Sequence, residues 1–170
     1  MQSISLLSRW LIKIAAASFI AMPVWALQPP SGEVILTISG KIDDANRENT
    51  AVFDLDMLQK LPQQTFVTKT PWDKNPTKFT GPLLRDVLGA VKSSGKTLTA
   101  LALNDYKTTI PAEDAALFDV IIAHRIDDMP ISVRTKGPLF IIYPFDSKPE
   151  LKSSKYYGRS AWQLKSIKVD

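Results

Sequence analysis

The stretch TLTALALNDYKTTI (97–110) decides the fold class. Residues 97–103 (TLTALAL) read as a strand, with Thr97 and Thr99 alternating with Leu98 and Ala100 at its start. Asn104-Asp105-Tyr106 is a tip of turn-forming residues, and 107–110 returns as a second strand. Two strands joined by so short a tip pair antiparallel, because a parallel pair needs a crossover of a dozen residues or more.

The same grain continues outward. Residues 33–42 (EVILTISGKI) alternate and read as a first strand, 43–50 (DDANRENT) as a polar turn and 51–54 as a short strand. Asp54 is placed to cap a short helix over 55–61 that Pro62 stops. Residues 64–70 (QTFVTKT) read as a strand and 71–78 (PWDKNPTK) as a loop. In the clearest helix Pro82 takes a first-turn position, and Leu83, Leu84, Val87, Leu88 and Val91 share one face. Beyond the hairpin come a short helix over 111–117, a buried strand VIIA (120–123), an Asp127-Asp128 turn, a second turn at Lys136-Gly137-Pro138 and the most apolar strand, LFIIY (139–143). Residues 144–155 read as a polar loop and QLKSIKV (163–169) as a last strand. Many short strands with a few short helices predict an α+β class, one domain of mixed β-sheets over 27–170, and not a βαβ repeat.

Residues 1–26 read as an address. Arg9 and Lys13 precede the uncharged run IAAASFIAMPV (14–24), and Val24-Trp25-Ala26 supplies small residues before a cut after Ala26. The run falls short of the ~20 apolar residues of a spanning helix and contains Pro23. The expected localisation is therefore periplasmic, through a cleaved signal peptide without a twin-arginine pair or a lipid-carrying cysteine. Without Arg9 and Lys13 the chain's net charge of +4 halves, so the basicity does not point to nucleic acid.

Composition narrows the chemistry. With 45% apolar and 22% charged residues the chain is of ordinary globular make-up. The absence of cysteine excludes disulfides, thiol catalysis, iron–sulfur ligation and Cys-type zinc sites. No nucleophilic triad is legible: a serine nucleophile needs a base, and the single histidine, His124, follows a strand and reads as a strand-end residue making hydrogen bonds. There is no Walker loop and no GxGxxG. The carboxylate pairs Asp43-Asp44 and Asp127-Asp128 sit in turn-like sequence, where aspartate serves the backbone. No catalytic residue and no metal ligand is expected.

Aromatic residues are the remaining signal. Trp72 lies in a proline-flanked loop, Tyr106 at the hairpin tip and Tyr143 at the exit of the most apolar strand, while Tyr156, Tyr157, Arg159, Ser160 and Trp162 crowd together before the last strand. Aromatic faces edged with hydrogen-bonding groups suit a flat heteroaromatic ligand; core and surface packing would use the same residues.

The pieces FTGPLLRDVL (79–88), LNDYKTTIP (103–111), DVIIAHRIDDMPI (119–131), GPLFIIYP (137–144) and RSAWQLKSIKV (159–169), in this order and spacing, resemble the sulfite-oxidase-type molybdopterin-binding domain family. The resemblance implies that fold over about 34–169. The enzymes of that family hold molybdenum through a cysteine thiolate in the region that corresponds to VTKTPW (67–72); with no cysteine here, no such ligand can form. The chain looks more like the family's short secreted branch, similar to periplasmic regulators that bind a reduced pterin without molybdenum and contact the periplasmic part of an inner-membrane signalling protein, typically a cyclic-di-GMP cyclase and phosphodiesterase. The resemblance thus implies a non-catalytic, pterin-binding regulatory protein. The alternatives are a molybdopterin-dependent oxidoreductase-like enzyme or subunit, and an interaction domain whose old pocket is filled by side chains.

On that reading, Trp72 or Trp162 stacks on the bicyclic ring, and Asp105 or Asp146 accepts from its amino edge. Arg159, Ser160 and Asn104 meet the carbonyl or side-chain hydroxyls, with Tyr106 and Tyr143 beside them. Arg125 is a further candidate, since the enzymes use arginines on the pterin's phosphate. Each has a competing role: Trp162 can face the core, Asp105 can make an Asx turn, and Arg159 can be one of several solvated charges near Lys148, Lys152 and Lys155.

Overall fold

The computed structural model describes residues 27–170; the export segment expected over 1–26 lies outside them. The class is α+β, as its alternating stretches predict. Among the described residues, eleven strands form three sheets and four short helices accompany them. The five-stranded sheet has the order β2-β1-β11-β5-β6: Ala51–Phe53, Leu36–Gly40, Leu164–Val169, Thr97–Ala102 and Lys107–Pro111. Strand β11 runs parallel to β1 and antiparallel to β5, so the last strand enters between the first strand and the hairpin. The four-stranded sheet orders β3 (Gln63–Thr68), β4 (Thr77–Pro82), β8 (Arg125–Ile126) and β9 (Met129–Pro130). Strands β7 (Ile121–Ala123) and β10 (Phe140–Ile142), wholly buried, form a two-stranded third sheet.

The hairpin of 97–110 forms as read: Leu98 faces Ile110 and Leu101 faces Lys107. Its tip residue Asp105 takes a left-handed conformation, which a short polar side chain tolerates. Asp54 caps α1 (Leu55–Lys60) by accepting from the Met57 N–H, and its other oxygen accepts from the N–H groups of Ser31 and Gly32. The Asp127-Asp128 turn is a two-residue connection with both φ positive, joining β8 to β9, two strands the sequence reading did not separate from the turn.

Two expectations need correction. Pro82 does not open a helix. It ends β4 opposite Gln63, and α2 (Leu84–Ala90) starts after it. Phe79 and Gly81, buried in alternation, continue the strand further than the loop-like 71–78 suggests. Gly81 fits there because a Cβ would stand 2.1 Å from the Ile122 carbonyl oxygen of the adjoining sheet. The segment 144–155 is not plain loop: a 3-10 turn at Pro149–Leu151 leads into a helix, α4 (Ser154–Arg159). With α3 (Glu113–Leu117) that completes the helices of the described residues. Short amphipathic helices have weak intrinsic preference and form through packing; buried Leu151 and Tyr156 supply it here.

Candidate functional site

Trp72 lies on the loop between β3 and β4. Buried Thr70 shapes that loop: its hydroxyl accepts from the N–H groups of Trp72 and Asp73 and donates to the Asp73 carboxylate. Lys136 then pairs with Asp73 at 2.7 Å. The indole so held is the hub of an aromatic cluster. It meets Trp162 at 5.5 Å and 76°, Tyr157 at 6.1 Å and 71°, Phe140 at 6.0 Å and Phe145 at 6.1 Å. Edge-to-face packing of this kind stabilises each pair by about 0.5–1.5 kcal/mol beyond its buried area.

One side of the cluster opens into a cleft of about 330 Å³. Trp72 and Trp162 supply the aromatic wall; the tip residues Asn104 and Tyr106 come from the hairpin; Tyr157, Gly158 and Ser160 come from α4 and its end. The hairpin and α4 are locked together at one atom: the Gly158 carbonyl accepts from the Tyr106 hydroxyl and from the Thr108 hydroxyl, both at 2.7 Å. Asn104 uses its side-chain oxygen to accept from the Tyr106 N–H, so the Asx turn belongs to Asn104 and not to Asp105. The Ser160 hydroxyl donates to the Tyr156 carbonyl and keeps its lone pairs. The indole N–H groups of Trp72 and Trp162 and the Asn104 amide nitrogen bond to no other described residue, and no sealed side-chain donor or acceptor among the described residues lacks a partner. These three donors are therefore not sealed from solvent, and the residues that carry them line the cleft. A flat ligand cannot slide between the two indoles, which already touch; it can lie against one face.

The structure thus brings together Trp72, Asn104, Tyr106, Ser160 and Trp162. It does not bring in the other five expected residues. Tyr143 is fully buried, and its hydroxyl donates to Asp114 at 2.7 Å; burial, and next the Asp114 carboxylate, push its ionisation far above the ordinary phenol range. Arg159 does not line the cleft and is not a freely solvated charge: its guanidinium donates to the same Asp114 oxygen at 2.7 Å and lies over the Tyr156 ring. Asp105 is exposed at the tip but does not line the cleft. Asp146 lies in a neighbouring hollow across Tyr157, where it pairs with Lys152 at 2.7 Å and accepts from the Lys69 N–H. The Lys152 bond, then the Lys69 N–H, holds its carboxyl below the usual range. Arg125, on β8, lines a separate hollow with Gln63, Thr80 and Asp128. Among the described residues no carboxylate lines the Trp72–Trp162 cleft.

Tyr157 and Gly158 were missing from the expected set. The aromatic crowding at 156–162 pointed to the region, but only the helix α4 decides that Tyr157 faces the cleft while Tyr156 turns to the core. A scan against protein-family models and a search of the curated proteins find no match for this chain.

Proposed function

We propose that this protein is an exported, non-catalytic regulator that binds a reduced pterin, without molybdenum, in the Trp72–Trp162 cleft. One observation carries the reading: an aromatic-walled cleft, near the lower end of small-ligand pocket volumes, lined by three residues whose side-chain N–H groups have no partner among the described residues. Such donors suit the carbonyl and ring nitrogens of a pterin, and the Ser160 lone pairs suit its amino group. The amino edge meets a hydroxyl in this reading, because the carboxylates first considered for it lie elsewhere. In place of a thiolate the chain has Thr68, Lys69 and Thr70. The two hydroxyls are engaged by Asp146 and Asp73, and hydroxyl and ammonium groups do not fit molybdenum. The leader-like 1–26 supports a periplasmic location, and the family resemblance supports a partner in the periplasmic part of an inner-membrane cyclic-di-GMP enzyme.

The experiment is to denature purified protein and examine the released small molecules by fluorescence and mass spectrometry, then to titrate tetrahydropterins in a thermal-shift assay. A near-stoichiometric pterin, or a rise in melting temperature that saturates, is expected. Trp162→Ala is expected to weaken binding about tenfold, which corresponds to about 1.4 kcal/mol. A blank in both measurements would leave the aromatic cluster as packing and turn the reading to a ligand-free interaction domain.

A further inference from the structure

A second, unrelated cleft of about 290 Å³ lies at the start of α1, and its decisive residue is His124. The backbone of His124 is clamped on both sides: its N–H donates to the Thr80 carbonyl and its carbonyl accepts from the Ile131 N–H. The residue is only 6% exposed. Nε2 stands 2.8 Å from Oε1 of Gln63. The Gln63 amide nitrogen donates to the Leu58 and Leu61 carbonyls at 2.9 and 2.8 Å, closing the end of α1. That leaves Oε1 as the atom facing the imidazole, so Nε2 must carry the hydrogen and Nδ1 must be the bare nitrogen.

Nδ1 bonds to no described residue. It is also not sealed, since every sealed side-chain nitrogen or oxygen among the described residues has a partner. His124 lines both the Gln63 hollow and the second cleft, and Gln63, the partner of Nε2, lines only the first. Ile35, Leu55, Ile131 and Pro138 make the rest of that cleft apolar. Its charged lining is all of one sign. Asp54 has its oxygens filled by the N–H groups of Ser31, Gly32 and Met57, while Glu33 and Asp56 are exposed, and no lysine or arginine among the described residues lines the cleft. Burial, and next the neighbouring Arg125 charge, hold the imidazole below its ordinary range, which keeps the lone pair available at neutral pH.

We infer that this cleft is a second ligand site, for a small organic cation with an apolar stem: a primary alkylammonium whose N–H donates to Nδ1 of His124, whose charge faces Glu33 and Asp56, and whose stem lies on Ile35, Leu55 and Ile131. A lone pair with no donor from the described residues is free to accept from a donor-bearing ligand. The cationic head is selected by the two carboxylates and the stem by the apolar walls.

The test is a nitrogen-15 NMR titration of the purified protein with n-hexylammonium, 1-hexanol and hexanoate as matched probes. The expected result is saturable shifts of the Ile35, Leu55 and Ile131 amides and of the His124 Nδ1 resonance with hexylammonium, and binding at least tenfold weaker for the alcohol and the carboxylate. The exposed double variant Glu33→Gln/Asp56→Asn, which leaves the core untouched, is expected to lose about three- to fivefold in affinity. His124→Phe is expected to abolish binding; should it fail to fold, the double variant carries the test alone. No saturable shift, equal binding of hexanol, unchanged affinity in the double variant, or shifts centred on Trp162 would each overturn the assignment.

Discussion

Replacing Asp114 with alanine tests how α4, and with it the aromatic cleft, is held in place. Asp114 is 3% exposed, and a single carboxylate oxygen accepts from the Tyr143 hydroxyl and the Arg159 guanidinium, each at 2.7 Å. The three residues join α3, the exit of β10 and the end of α4. Removing one partner of a buried ion pair costs about 3–5 kcal/mol, and an orphaned buried hydroxyl about 1–3 kcal/mol. The two penalties share one oxygen and do not add. Arg159 is 17% exposed and recovers some hydration, so the expected loss is about 3–4 kcal/mol, a large part of a typical domain's stability of about 5–15 kcal/mol. For an m-value near ~2 kcal/mol/M in urea, the unfolding midpoint falls by about 1.5–2 M. The assay is equilibrium urea unfolding followed by tryptophan fluorescence, for which Trp72 and Trp162 are natural probes. Tyr143→Phe keeps the ion pair and should cost less, about 1.5–3 kcal/mol, the range of a hydrogen bond to a charged group. The double variant should fall short of the sum by at least ~1 kcal/mol, because both substitutions remove the same bond. A loss under ~1 kcal/mol for Asp114→Ala, or strict additivity in the cycle, would refute the account of Asp114 as the shared anchor.

Other outcomes follow from single groups. Asp54→Ala removes the α1 cap and the acceptor for two N–H groups upstream; a loss of about 2 kcal/mol in the same unfolding assay is expected. Gly81→Ala forces a Cβ to 2.1 Å from the Ile122 carbonyl and should destabilise by about 2–3 kcal/mol or prevent folding. Gly89→Ala, on α2 with nothing within 4 Å, should instead stabilise by roughly 0.5 kcal/mol; a loss there would contradict the open space around it. His124 makes stability depend on pH. Its folded-state ionisation lies below the ordinary 6.5, so in acid the unfolded chain takes up a proton before the folded one does. The stabilisation is full above ~6.5 and is lost as pH falls through the lower folded value. Unfolding free energies measured from about pH 7 to about pH 5 should show this slope, and His124→Gln should flatten it.

The strand–tip–strand reading of 97–110, the Asp54 cap and the Asp127-Asp128 turn were legible in the sequence because each depends on neighbours within a few residues: alternation, a capping oxygen, tolerance of positive φ. Five of the ten expected site residues meet at one cleft for a similar reason. Loop and tip positions that carry aromatic or amide groups are pushed to the surface, and Trp72, Tyr106 and Trp162 announce themselves there. Position alone could not say which polar groups have been spent. Asp146, Arg159 and Tyr143 carry the right chemistry, but Lys152 holds the first and Asp114 the other two. Those partners are 6, 45 and 29 residues away in sequence. The same holds for Gly81, whose need is set by the Ile122 backbone in another sheet, and for α4, which packing and not propensity brings out of a polar stretch. Local preference and alternation thus determined which elements exist. The pairing of the last strand with the first, the turn of Tyr157 toward solvent and the bare nitrogen of His124 were decided only where segments far apart in the chain compete for the same donors, acceptors and space.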